Sequence, residues 1–282
     1  MSFSVAVNIH RRIAITLVVM VLAVLVYSAA NAAPVAVRSP EAGAHGYLLL
    51  RSPAGEAIGN GEITQVVKEA NVIESQLVLH FKDGSLHDET VAFSQQRVFK
   101  MIRYRLIQRG PSFPEQIDAS IDRRSAEYKV RSQATKDEKE QVVTGHVDLP
   151  SDAYNGMFVV LLKNLPQYAN ETVNILAFTP APEAIKLQML FIDEQTVRIG
   201  ELSAKARHYV LRPQIGMIQE FVGKLAGKLP ADFHLECWML AGKVPSFVQL
   251  EGPLQLMGPV VRIELVSPRL PNSPENKRIA AN

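Results

Sequence analysis

The sequence predicts a mainly β protein: one large curved antiparallel sheet or open barrel, with two helices packed on or across it. Three observations predict it. Apolar and polar residues alternate over many short runs, short polar turns separate these runs, and only two segments replace the period of two by helical spacing. The 282 residues are 47% hydrophobic and 21% charged, with a mean hydropathy of +0.05, which excludes a disordered chain and a multi-span helical membrane protein. Cys237 is the one cysteine, so no intramolecular disulfide or Cys-rich metal module is available and the core itself must hold the fold.

The first element, residues 1–32, reads as a signal peptide. His10-Arg11-Arg12 precede a 15-residue apolar run from Ile13 to Tyr27, and Ala30-Asn31-Ala32 supplies the small-x-small pattern that places cleavage near Ala32. The competing reading is an uncleaved anchor, since Ile13 to Ala30 approaches the roughly 20 apolar residues that a bilayer core requires. Membrane contact then runs through this segment alone. In both readings Arg11 and Arg12 stay cytoplasmic and the remainder becomes periplasmic or secreted. Removing the leader takes Lys+Arg from 30 to 28 against 28 Asp+Glu, so the mature chain is neutral. A neutral chain without a basic stripe gives no electrostatic basis for binding nucleic acid.

Residues 33–45, with Pro34 and Pro40, are expected to form an unfolded linker, and residues 268–282, with Pro268, Pro271 and Pro274, a disordered tail. Between them, 46–267 reads as a single β-rich domain. Strands are expected in order at Tyr47 to Arg51, Glu62 to Val72, Leu77 to Lys82, Ser85 to Phe93, Val98 to Ile107, Ile117 to Asp122 and Ala126 to Arg131. They continue at Val142 to Val147, Val173 to Thr179, Ile185 to Ile192, Ala204 to Leu211, Phe233 to Leu240, Phe247 to Leu250 and Val260 to Val266. Asp83-Gly84 is the dipeptide of a tight hairpin. The apolar phase slips between Phe99, Met101 and Ile102, Tyr104, Leu106, which calls for a one-residue bulge.

Ser151 is positioned to cap a helix from Asp152 to about Leu165, with Tyr154, Met157, Phe158, Leu161 and Leu165 at spacings of three and four. Val159, Val160 and Leu162 make its opposite side apolar too, so this helix should be buried on two sides or cover a greasy opening. A second, ordinary surface helix should follow Pro213, with Ile218, Phe221, Val222 and Leu225 on one stripe and Gly227 and Pro230 ending it.

No phosphate loop, His-Glu-x-x-His, Gly-x-Ser-x-Gly or EF-hand pattern is present, and no cofactor is implied, so a non-enzymatic role stands ahead of an enzymatic one. The most specific polar arrangement is His80 with His87. A strict two-residue loop at Asp83-Gly84 would place these imidazoles opposite each other with Glu89 on the same face, a weak candidate for a divalent metal against the plainer reading of a solvated face. Cys237 and His234 fall on opposite faces of a strand, and Asp118 and Asp122 stand ~13 Å apart on one face, too far for paired carboxylate chemistry. Gly110-Pro111-Ser112-Phe113-Pro114, Gly252-Pro253 and Gly258-Pro259 read as rigid turns.

Four groups of segments carry a resemblance: Leu79 to Leu86, Gln108 to Pro114, Tyr154-Asn-Gly-Met157 with Leu161-Leu-Lys-Asn164, and Glu251 to Leu254 with Gly258 to Leu265. Together they resemble an uncharacterised family of exported bacterial proteins built around a domain of unknown function. That resemblance implies export and a single domain, and it brings no catalytic residues. At the level of fold alone, a curved sheet with an apolar helix is similar to periplasmic half-barrels that carry lipoproteins. The expectation is an exported protein holding an apolar ligand or lipid in its curved sheet, with Tyr154, Met157, Phe158 and Leu161 as contacts. The alternative is an envelope structural or interaction protein with a filled core.

Overall fold

The structure is a computed structural model that describes residues 34–134, 138–179, 181–199, 202–214, 233–243, 245–254 and 258–266, all within one compact unit. Its strands are β1 (Ala44–Arg51), β2 (Ala57–Glu69), β3 (Val72–Phe81), β4 (Leu86–Gln95), β5 (Phe99–Arg109), β6 (Gln116–Asp122), β7 (Glu127–Gln133) and β8 (Gln141–His146). A helix α1 (Phe158–Asn164) follows, then β9 (Glu171–Thr179), β10 (Ala181–Ile199), β11 (Leu202–Pro213), β12 (Leu235–Leu240), β13 (Ser246–Pro253) and β14 (Val260–Val266). All 14 strands join one open antiparallel sheet in the order β8-β7-β6-β5-β4-β3-β2-β1-β14-β13-β12-β11-β10-β9.

This order has a direct topological meaning. The chain starts in mid-sheet, meanders outward to one edge at β8, and must then cross to the opposite edge at β9 before meandering back to pair β14 with β1. Because the sheet curls, the crossing segment runs through the hollow. Its apolar side chains bury against both walls, which is why a segment apolar on every side is stable there. Residues of α1 and its approach share one core with β3–β6 on one wall and β9–β12 on the other.

Every expected strand is present. β10 reaches well beyond the expected Ile185 to Ile192, because Asp193–Ile199 continues as a ladder against β11 although its side chains lack an apolar beat. The bulge falls where the phase slip requires it: Ala92 pairs with Arg103 and Phe93 with Met101, leaving Ile102 as the extra residue. Phe99, Met101 and Tyr104 are consequently all buried on the hollow side. Close approach of β2 to β3 is permitted where a Cβ on Gly59 or Gly61 would lie 2.3 Å from the carbonyl oxygen of His80 or Val78.

Two expectations are corrected, and a third falls outside the described residues. The first helix spans Phe158–Asn164 rather than Asp152 to Leu165, and Met157 occupies its N-cap position without a side-chain cap. Upstream, Gly156 takes a left-handed φ of +68°, and the backbone of Asp152 and Tyr154 pairs with Asn174 on β9 instead of continuing a helix. One helix is present among the described residues where two were expected; the segment assigned to the second lies outside them, as do the leader and the tail. The linker, expected to be unfolded, is docked from Pro34 onward. Phe99 donates its N–H to Val35, Val37 donates to Arg97, and Val35 enters the main core.

Candidate functional site

Tyr154, Met157 and Leu161 are wholly buried, and Phe158 packs half-buried against the same core. These are the side chains expected to contact a ligand, and they fill the hollow themselves. Tyr154 also fastens three parts of the molecule: its hydroxyl accepts the Val35 N–H at 3.1 Å and donates to the Phe99 carbonyl at 3.0 Å. Arg123, from the turn after β6, donates to the carbonyls of Met101, Leu149 and Pro150 and so anchors the start of the crossing. Asn164 holds the docked linker, a strap from Pro34 to Gly43, by accepting the N–H groups of Arg38 and Ser39.

Below the crossing lies a polar layer between two apolar clusters. The Tyr104 hydroxyl donates to Glu89 Oε1 at 2.7 Å, and burial pushes both groups above their ordinary pKa ranges. Next on β4, His87 Nδ1 meets Gln108 Nε2 at 2.9 Å, and the same amide donates to the Leu254 carbonyl at 2.9 Å. Burial lowers the His87 pKa to about 4, so the imidazole is neutral, and its Nε2 has no partner among the described residues. The Gln108–Leu254 bond joins β5 to the end of β13 across the curl, a tie that no sequence pattern announces.

The hairpin register separates the histidines. Gly84, at φ +86°, closes a three-residue loop in which Phe81 donates to the Ser85 carbonyl, so His87 faces Leu79 and His80 faces Leu86. His80 is exposed and His87 buried, on opposite faces. Among the described residues no group of three His, Cys, Asp or Glu is close enough to hold a metal. Cys237 lies in the main core, where burial pushes its thiol up to about 12, while the His234 ring meets Glu236 at 3.2 Å. Asp118 pairs with Arg105, and Asp122 accepts the Arg124 N–H of its own turn. The Gly110 to Pro114 loop packs on the β3–β4 turn through Ser112 and Phe113, a structural use.

An open cleft of about 790 Å³ lies on the outer, wet side of the half-sheet from β3 to β8. Cross-strand register lines Thr90, Arg105, Ser120, Lys129 and Thr144 into one row through it. Glu74 accepts from Lys68 at 2.9 Å and Arg103 at 3.5 Å beside this row, and the cleft runs out to the sheet edge at Thr144, Gly145 and His146. The polar face was legible as the alternate residues of each strand; its concavity was not, because it arises from the twist of the assembled sheet. No helix of the described residues is long and apolar enough to cross a membrane. No known protein family, curated protein or solved structure matches this chain.

Proposed function

We propose that this is an exported, non-enzymatic protein that works by holding a partner on its outer surface, not by carrying an apolar cargo in its hollow. The observation that supports this reading is the complete burial of Tyr154, Met157 and Leu161 in the space an apolar ligand would occupy. A lipid chain entering there would have to displace the crossing segment, together with the hydrogen bonds of Tyr154, Asn155 and Arg123 that fix it. Export rests on the leader: a basic start, a 15-residue apolar run and Ala30-Asn31-Ala32.

The test is mass spectrometry of protein purified from the exporting cell. The intact chain is expected to begin at Ala33, and its organic extract to contain no stoichiometric lipid. A lipid recovered at one per chain would overturn the surface-binding reading, and a chain retaining residues 1–32 would overturn cleavage.

A further inference from the structure

The two edges of the sheet are treated differently. On β9, Tyr154 donates its N–H to the Asn174 carbonyl, Asn174 donates to the Asp152 carbonyl, and the Asn155 amide both donates to and accepts from the Leu176 backbone. The middle of that edge, Asn174 to Leu176, is covered by the chain's own crossing segment. On β8, the backbone groups facing away from β7 have no partner among the described residues. Its sequence, Gln-Val-Val-Thr-Gly-His, contains no proline or lysine, and its pairing with β7 runs without a bulge, so these protections of an open edge are absent from the strand. Val142 is 52% exposed there.

Charge distinguishes the same edge. On the outer face of β5, Arg103 is matched by Glu74 and Arg105 by Asp118. On β7, next to the open edge, Lys129 and Arg131 have no carboxylate partner among the described residues, and Asp118, which faces Arg131 across the ladder, is committed to Arg105. Val142 and Thr144 stand between these two cations and the edge, and both are short. A strand added to β8 would lie about 10 Å from β7, two strand spacings, which a lysine or arginine and a glutamate together span.

We propose that β8 takes up an extended acidic segment of a partner protein as a fifteenth strand, its alternate carboxylates directed to Lys129 and Arg131. Backbone pairing supplies the attachment, and the two free cations select its charge. The proposal rests on the surface-binding reading and names the surface and the partner chemistry for it.

The experiment uses the mature protein and blocked seven-residue probe peptides with Glu at alternate positions and Thr or Val between, read by fluorescence anisotropy. The acidic peptide is expected to bind at least tenfold more tightly than its lysine counterpart. N-methylation of one alternate set of its amides should abolish binding, and of the other set leave it intact. A Lys129→Glu/Arg131→Glu variant with unchanged circular dichroism and Tm should reverse the charge preference. Failure of the acidic peptide to saturate, equal binding of both charge forms, or indifference to N-methylation would overturn the proposal. So would a concentration-dependent dimer that Val142→Lys abolishes, since a second copy would then own the edge. Stoichiometric lipid in the extract sinks the underlying reading, whereas a blank extract with no peptide binding sinks only the choice of edge and chemistry.

Discussion

His87 and Glu89 stand two residues apart on the hollow side of β4, and burial moves them in opposite directions relative to the unfolded chain. An unfolded histidine protonates near pH 6.5, whereas His87 in the fold resists until about 4. Above pH 6.5 both states are neutral and the residue contributes nothing to the pH dependence. Between 6.5 and 4 the unfolded chain binds a proton that the folded chain refuses, so stability falls as pH drops, by roughly 3 kcal/mol in full. Glu89 works the other way. Its raised pKa lets the folded chain keep a proton that the unfolded chain has lost, so within that window stability rises as pH falls. Urea denaturation at pH 7.5 and pH 5 should therefore show an acid loss that His87→Met largely removes; an unchanged loss in that variant would assign it elsewhere.

At the scale of elements, the strands were legible because each has one dry and one wet face, and a period of two survives whatever the neighbours are. The bulge at Ile102 was legible for the same reason: a skipped residue shows as a phase slip. What failed was counting at turns. One extra loop residue at Gly84 moves His87 from His80 to Leu79 and removes the expected cross-strand pair. Helix length failed where backbone competition decided it, since Asp152 and Tyr154 find partners on β9 that local propensity cannot reveal. The close backbone approach at β2 is another property of assembled strands. Gly61→Ala would press a Cβ into the Val78 carbonyl, and the strand must give way. This substitution is expected to cost about 1–3 kcal/mol or more, read as a lower urea midpoint at unchanged m-value. A variant as stable as the parent would show that the sheet does not need that closeness.

For the whole molecule, the decisive feature is the crossing from one sheet edge to the other. Its apolar character was plain in the sequence, and the choice between burial on two sides and covering an opening followed from it. Its identity as the filling of the hollow was not plain, because that depends on strand order, a long-range property. Tyr154 concentrates this dependence by bonding the strap at Val35 and the start of β5 at Phe99. Tyr154→Phe keeps the ring and strands a buried N–H and a carbonyl, an expected loss of about 1–3 kcal/mol. Hydrogen exchange should then quicken together in the strap, the crossing and the first residues of β5. Faster exchange confined to one of the three would mean that they do not open as a unit.

The unequal rims of the sheet have a further consequence. Stacking chains rim to rim into a fibre needs two adhesive ends on every molecule, and here the crossing segment already occupies the middle of one of them. Docking at the remaining rim, whether by a foreign strand or by a twin, uses up the last vacancy. Growth by continuous pairing along both rims is thereby hindered.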